Sequence, residues 1–314
     1  MTSIVFMGTP SFAVPILQEL INHNYEIKKV VTQPDRPVGR KRILTASPVK
    51  EEAQKHQIDV LQPEKINGSE EMEEIISLEP DFIVTAAYGQ FLPDKLLNSA
   101  KFGAINVHGS LLPKYRGGAP VQYSIMNGEK ETGITIMYMV NKMDAGDILA
   151  QKSIPITIDD DTSTMFEKLS LIGSDLLIDV LPKLLRQEIM PKKQDETKVV
   201  FSPNIKPGEE KLDIKQSAFL INAKIRALRP NPGAYLTMNG KRTKIWDTKL
   251  TELKSENEPG TVYDKTKHSL KIVTGNNDVL EILSLQPSGK PKQKITDYLN
   301  GVGNNIKIGE QVIE

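Results

Sequence analysis

The sequence predicts an α/β chain in two parts, a mixed sheet flanked by helices and then a small β-barrel. Three observations carry this. Short β-branched runs alternate with helical stripes over residues 1–189. Five strand-like runs separated by turn signals occupy residues 213–314. At 314 residues the chain also exceeds the roughly 100–200 residues of one ordinary domain.

Residues 3–8 are apolar and end in Gly8; Pro10 and Ser11 follow, and then a stripe of Val14, Leu17, Leu20 and Ile21. That is a strand, a turn and a helix with its start signal. The β-branched run 27–32 completes a strand–helix–strand unit, which builds parallel sheet with a right-handed crossover. Residues 81–87 and 103–107 are short and nearly free of charge, as strands buried on both faces are. Residues 133–140 and 148–158 continue the sheet with antiparallel members. Met165, Leu169, Ile172, Leu176 and Val180 form a helical stripe that Pro182 is expected to kink or split. Residues 190–212, rich in lysine, proline and acid with no sustained period, are expected to be a linker between domains 1–189 and 213–314. A helix is then expected over 214–228. Strands follow at 234–238, 243–246, 260–263, 269–273 and 279–284, with turn signals at Asn239-Gly240 and Gly275-Asn276-Asn277. Short strands at this spacing point to a barrel.

Composition narrows the chemistry. The absence of cysteine excludes a disulfide scaffold, a thiolate nucleophile and zinc held by sulfur. Nothing presents spaced histidine or carboxylate ligands, so no metal is expected; His23, His56 and His268 read as structural or solvated. The first residues lack the basic and apolar regions of a secretion signal, and no apolar run approaches the ~18 residues of a membrane span. A soluble, cytoplasmic protein without a membrane partner is expected. Lysine plus arginine (40) equals aspartate plus glutamate (40), but the balance is uneven: residues 206–314 hold 18 basic and 13 acidic side chains. That mildly basic part suits a polyanionic partner.

The densest cluster of chemistry is Asn106-Val107-His108-Gly109-Ser110-Leu111-Leu112-Pro113, continuing Lys114-Tyr115-Arg116-Gly117-Gly118-Ala119-Pro120. It begins at the carboxyl end of an expected sheet strand, where open α/β sheets place ligands. Asn106 and His108 are two apart, so on an extended strand they face the same way. This run strongly resembles the signature of the folate-dependent formyltransferase family, and Val140-Asn141-Lys142-Met143-Asp144-Ala145-Gly146-Asp147-Ile148 resembles its second signature. The resemblance implies a Rossmann-like formyltransferase domain followed by an OB-like barrel that binds tRNA. It implies Asn106, His108 and Asp144 as the catalytic set, with Asp147 supporting the loop. It also implies 10-formyltetrahydrofolate as formyl donor, and a monomer. The opening strand and turn, Ile4 to Pro10, lack the glycine fingerprint of a nicotinamide dinucleotide site.

The residue types suit formyl transfer. As an amine attacks the formyl carbon, charge builds on oxygen before the folate nitrogen leaves, and the Asn106 amide can donate to that oxygen. His108 is suited to move protons near neutrality, and Asp144 can orient it and stabilise its charged form. Tyr88, Gly89, Gln90, Phe91 and Leu92 resemble the family's cofactor-facing loop, and Ser110, Leu111, Leu112 and Pro113 match the stretch assigned to folate.

The acceptor is indicated by Gln33 to Arg42, which carries Arg36, Arg40, Lys41 and Arg42 and resembles the loop that tRNA-acting members press against the acceptor end. Cations in such a loop suit phosphate and base-edge contacts. By resemblance Arg40 leads, with Arg42 next, and the partner is charged initiator tRNA formylated on its methionine amine. In the C-terminal part Lys206, Arg226 and Arg229 are candidates, with Lys211, Lys241, Arg242, Lys244, Lys290 and Lys292 beside them. The alternative acceptor, a small amine such as glycinamide ribonucleotide or an amino-sugar nucleotide, leaves the basic loop and the barrel without a use.

Overall fold

In the computed structural model, which describes residues 1–39 and 41–313, the first part of the chain runs as follows. β1 (Ser3–Gly8), α1 (Val14–Asn22) and β2 (Glu26–Val31) lead into a hairpin of β3 (Arg36–Val38) and β4 (Ile43–Thr45). Next come α2 (Pro48–Lys55), β5 (Val60–Leu61), α3 (Glu70–Ser77), β6 (Phe82–Ala86), α4 (Asp94–Leu97) and β7 (Ala104–His108). α5 (Pro120–Met126), β8 (Glu131–Tyr138), β9 (Ile148–Pro155) and α6 (Thr162–Leu185) complete it.

Among the described residues, seven strands pair in the order β5-β2-β1-β6-β7-β8-β9. The first five run parallel, whereas β8 and β9 pair antiparallel, so the expected mixed sheet is present. All six residues of β1 are buried, as a central strand covered on both faces requires. The order reverses between β1 and β6, whose carboxyl ends lie in register at Gly8 and Ala86. Sheets of this kind bind ligands at such a point. The hairpin β3–β4 escapes a period-based reading because every residue of its two strands is exposed.

Serine caps set two helix starts: Ser47 Oγ accepts from the Lys50 amide and Ser69 Oγ from the Met72 amide. α6 is not split at Pro182 but continues to Leu185. The missing N–H lies in the final turn, where little helix remains to be disrupted. Among the described residues no helix is long and apolar enough to cross a membrane.

The chain divides into two compact units, and not by one cut. Unit 1 comprises Met1–Pro120, Glu131–Pro155 and Phe166–Pro203; unit 2 comprises Val121–Lys130, Ile156–Met165 and Asn204–Glu314. The segment 190–212, expected as a linker, is therefore shared between them. Within unit 1, Lys192 and Ile148 exchange two backbone bonds of 2.8 Å, and Ser202 N donates to Arg116 O at 2.7 Å. Within unit 2, Leu212 N donates to Tyr235 O and Tyr235 N to Glu210 O. Lysine and proline content hides these attachments because they are made by main chain.

Unit 2 holds α7 (Ala218–Ala227), β10 (Tyr235–Met238), β11 (Lys241–Lys254), β12 (Val262–Lys265), β13 (Leu270–Val273), β14 (Asp278–Pro287), β15 (Gln293–Lys294) and α8 (Ile295–Leu299). The antiparallel order is β10-β11-β14-β13-β12, with β15 on β14. Ile313 bridges to Met238 on one edge, and Gln311 bridges to Thr261 beside the other, so one segment closes the sheet. Ile221, Ile225, Leu236, Ile245, Ile272 and Leu285 belong to one buried core.

Candidate active site

The site is built at the carboxyl end of β7. Asn106 pairs in register with Thr85 on β6 and with Met137 on β8. Thr85 Oγ1 donates to Asn106 Oδ1 at 2.7 Å. A carboxamide has distinct donor and acceptor ends, so this bond fixes its orientation. The Nδ2 group is then left as a donor, and among the described residues it has no partner.

His108 is 5% exposed, and its Nε2 lies 2.9 Å from Tyr115 O. A carbonyl only accepts, so the neutral ring carries its hydrogen on Nε2 and keeps the Nδ1 lone pair. That Nδ1 faces Asp144 Oδ2 at 3.7 Å. The separation is ion-pair proximity, longer than the hydrogen bond expected from the residue types. The same Oδ2 instead accepts from the Gly117 amide at 2.9 Å. The structure thus brings Asp144 beside His108 and ties it to the loop that follows β7.

Two glycines make this possible. A Cβ on Gly146 would fall 1.8 Å from Tyr138 O, and one on Gly117, whose φ is +126°, would fall 2.6 Å from Ser202 O. Only glycine fits either position. Asp144 itself has φ +46°, a left-handed conformation uncommon outside glycine. Asp147 O accepts from Tyr138 N at 3.0 Å, so its main chain closes the same loop.

Two residues near Asp144 were not legible as site components. Arg116 is fully buried; it donates to Gln194 Oε1 and pairs with Glu196. Hydrogen bonds from Arg116 and then Lys142 hold the Glu196 carboxyl down at about 2. Gln194 Nε2 in turn donates to Asp144 O and Gly146 O. A glutamine inside a polar segment carries no periodic signal.

The residues expected to face folate divide by burial. Phe91 is 67% exposed beside a cavity of about 480 Å³ that Lys65, Asn67, Leu92, Pro93, Asp94 and Asn141 also line. Gly89 has φ +92°, and Gln90 spends its carboxamide on Ile66 N and nearby oxygens. Leu111 and Pro113 are half-buried. Tyr88, Ser110 and Leu112 are buried. Ser110 Oγ donates to Lys114 O, and Leu112 N donates to Thr135 Oγ1.

Tyr88 packs in the apolar cluster with Met72, Ile75 and Leu96, and among the described residues its buried hydroxyl has no hydrogen-bond partner. Burial, with the charge of Glu71 second, pushes its pKa up to about 12. Because an unpaired buried hydroxyl costs stability, Tyr88→Phe is expected to keep or raise Tm and to leave the KM for the folate donor unchanged. A raised KM would put the side chain in contact with the donor.

The cations expected to meet nucleic acid also separate. Lys41, Arg42 and Lys206 are exposed, and Arg36 is exposed but paired with Glu64. Arg40 lies outside the described residues. Arg226 corrects an expectation: it is 5% exposed and bonds Asn222 Oδ1, Asp160 O and Thr157 O inside unit 2. Arg229 is likewise committed, to Asp247, Asp161 and Trp246 O. Sequence shows charge but not burial. What it obscured is an aromatic surface: Arg242 lies 3.8 Å over Tyr235, and Lys244 and Lys292 flank Trp246 at 5.4 and 5.5 Å. The lone tryptophan between lysines was the available signal.

Comparison with known proteins covers both parts of the chain. Residues 1–181 match the family described as Formyl transferase, and residues 204–303 match Formyl transferase, C-terminal domain. The methionyl-tRNA formyltransferase of Pediococcus pentosaceus is 61% identical across 100% of this chain and 98% of its own length. That of Lactiplantibacillus plantarum is 62% identical across 100% and 99%. Among solved structures, an N-formyltransferase from Helicobacter canadensis in complex with folinic acid and dTDP-3-aminofucose superposes with a TM-score of 0.70 at 20% identity, covering 91% of this chain and all of that one. HypX from Aquifex aeolicus in complex with tetrahydrofolic acid gives 0.64 at 18%, covering 97% of this chain and 48% of its own. These two likenesses are of fold.

Proposed function

The chain belongs to the formyl transferase family, and from that premise we propose that it carries a formyl group from a folate donor to the methionine α-amino group of charged initiator tRNA. The observation that carries the chemistry is the unpartnered Asn106 Nδ2 on the same strand face as His108, whose Nδ1 looks onto Asp144. Full-length identity with enzymes named for methionyl-tRNA supports this acceptor over a small amine. The donor is 10-formyltetrahydrofolate. The exposed Phe91 ring beside the cavity fits a flat ring system.

A bound formylfolate supplies an electrophilic formyl carbon on a nitrogen leaving group. Asn106 Nδ2 donates to the formyl oxygen as negative charge builds there during attack. The acceptor amine needs no strong base, since its ordinary pKa of about 7.7–8.0 leaves an appreciable neutral fraction. His108 Nδ1 takes up the proton the attacking amine sheds, and Asp144 Oδ2 at 3.7 Å stabilises the imidazolium. The proton is then available for the departing folate nitrogen.

Recognition of the acceptor is assigned to the hairpin β3–β4 and to the aromatic surface of unit 2. Besides its cations, the hairpin exposes Val38, Ile43 and Leu44, a combination suited to base faces as well as phosphates. A double Lys41→Ala, Arg42→Ala variant is expected to raise the KM for tRNA about tenfold at low salt and to flatten its salt dependence, with the KM for folate unchanged. Steady-state kinetics across a salt series checks this, and an unaltered KM for tRNA would remove the hairpin from recognition.

The decisive assay measures transfer from 10-formyltetrahydrofolate to charged initiator tRNA, with uncharged tRNA and elongator methionyl-tRNA as controls. Transfer confined to the charged initiator supports acceptor and specificity together. Folate binding without tRNA formylation would sink the acceptor assignment.

A further inference from the structure

We propose that Gln194 is a positioning residue for Asp144, acting from a segment that the sequence marks only as a connection. The inference rests on Asp144 being the partner of His108. Gln194 Nε2 donates to Asp144 O at 2.7 Å and to Gly146 O at 2.8 Å, which accounts for both amide hydrogens. Its Oε1 accepts from Arg116 Nε at 3.1 Å and Nη2 at 2.8 Å, which accounts for both lone pairs. One carboxamide therefore spans two loops. On one side it holds the carbonyls that bracket the turn carrying the Asp144 carboxylate. On the other it grips Arg116, whose neighbour Gly117 donates to that same carboxylate at 2.9 Å.

The arrangement answers a need created by the backbone. Asp144 sits at φ +46°, a conformation that persists only where its surroundings hold it. Neither Gly146 nor Gly117 has a side chain with which to brace the loop. The bracing comes instead from the segment carrying Gln194, which is tied down on both sides. Lys192 and Ile148 exchange two backbone bonds before it, and Arg116 N donates to Val200 O at 2.9 Å after it. Arg116 is fully buried, so the acceptor side of the carboxamide faces a guanidinium with no room to move. Each of these contacts lies within unit 1.

The test is Gln194→Glu. The substitution keeps shape and keeps an acceptor toward Arg116, but it replaces the donating amide with an oxygen facing two carbonyls. A displacement of about 1 Å in a catalytic group can cost on the order of 10²-fold. We therefore expect kcat to fall roughly 10–100-fold, with the KM values for folate and tRNA within about twofold of the parent. In an Asp144→Asn background the same substitution is expected to cost less than about threefold, because residues acting through one another are not additive. Gln194→Met, which keeps length without donor or acceptor, serves as the second variant if the glutamate form fails to fold. Unchanged kcat in a folded Gln194 variant beside a slow Asp144→Asn would overturn the inference and leave the Asp144 assignment standing. An equal loss in both backgrounds would overturn it too, by showing that Gln194 acts elsewhere. Normal turnover of Asp144→Asn alone would remove the assignment beneath it.

Discussion

Replacing His108 by alanine is expected to lower kcat for formyl transfer by roughly 10²–10⁴-fold, the range that a positioned acid–base group supplies. The expectation follows from the ring's fixed state. With Nε2 held by Tyr115 O, the atom that can accept a proton is Nδ1, and it faces a carboxylate. No other histidine can substitute, since His23, His56 and His268 lie outside these contacts. Binding of charged tRNA is expected to stay near the parent value, because His108 is almost wholly buried and offers no surface to a macromolecule. Single-turnover measurements at saturating folate and tRNA separate the chemical step from release. A variant that turns over within about tenfold of the parent would remove His108 from the chemistry.

Asn106→Ala is expected to cost about 10²–10³-fold in kcat, the loss found when one donor to a developing oxyanion is removed. Asn106→Asp should be at least as damaging, since a carboxylate sets like charge where negative charge must grow. Thr85→Val distinguishes orientation from presence: it keeps the amide but releases the 2.7 Å bond that aims it, so a smaller loss is expected. Single-turnover rates with the donor bound in all variants provide the comparison. Equal rates for Asn106→Ala and the parent would mean that the oxygen is stabilised by another group.

The centre of the first sheet was legible because its central strands are buried on both faces and spell that out as short β-branched runs. β1 and β6, with every residue buried, are the clearest cases. The catalytic candidates were legible because the functional types cluster within two short motifs. Some exposed elements were not, the hairpin β3–β4 among them. β11 was expected only at residues 243–246 but runs Lys241–Lys254, because its polar, half-exposed portion has no apolar alternation to announce it. Arg226, expected as a cation for nucleic acid, and Tyr88, expected from its resemblance to a cofactor-facing loop, are both buried, which sequence does not display. Gln194 and Thr85 reach Asp144 and Asn106 by hydrogen bonds that span 50 and 21 positions, and no local pattern encodes such pairings.

The bridge made by residues 311–313 sets an order on events during synthesis. The strands of the first sheet have all been made once β9 ends at Pro155, so that sheet can assemble while the rest is still being translated. The barrel of unit 2 cannot seal in this way. Thr261 and Gln311 are 50 positions apart, and until Gln311 and Ile313 emerge Met238 on β10 and Thr261 beside β12 lack these bridging partners. Unpaired edges are templates for wrong partners. The nascent chain therefore passes through an interval in which unit 2 is nearly complete but unsealed, and that is when holding chaperones would matter most to it.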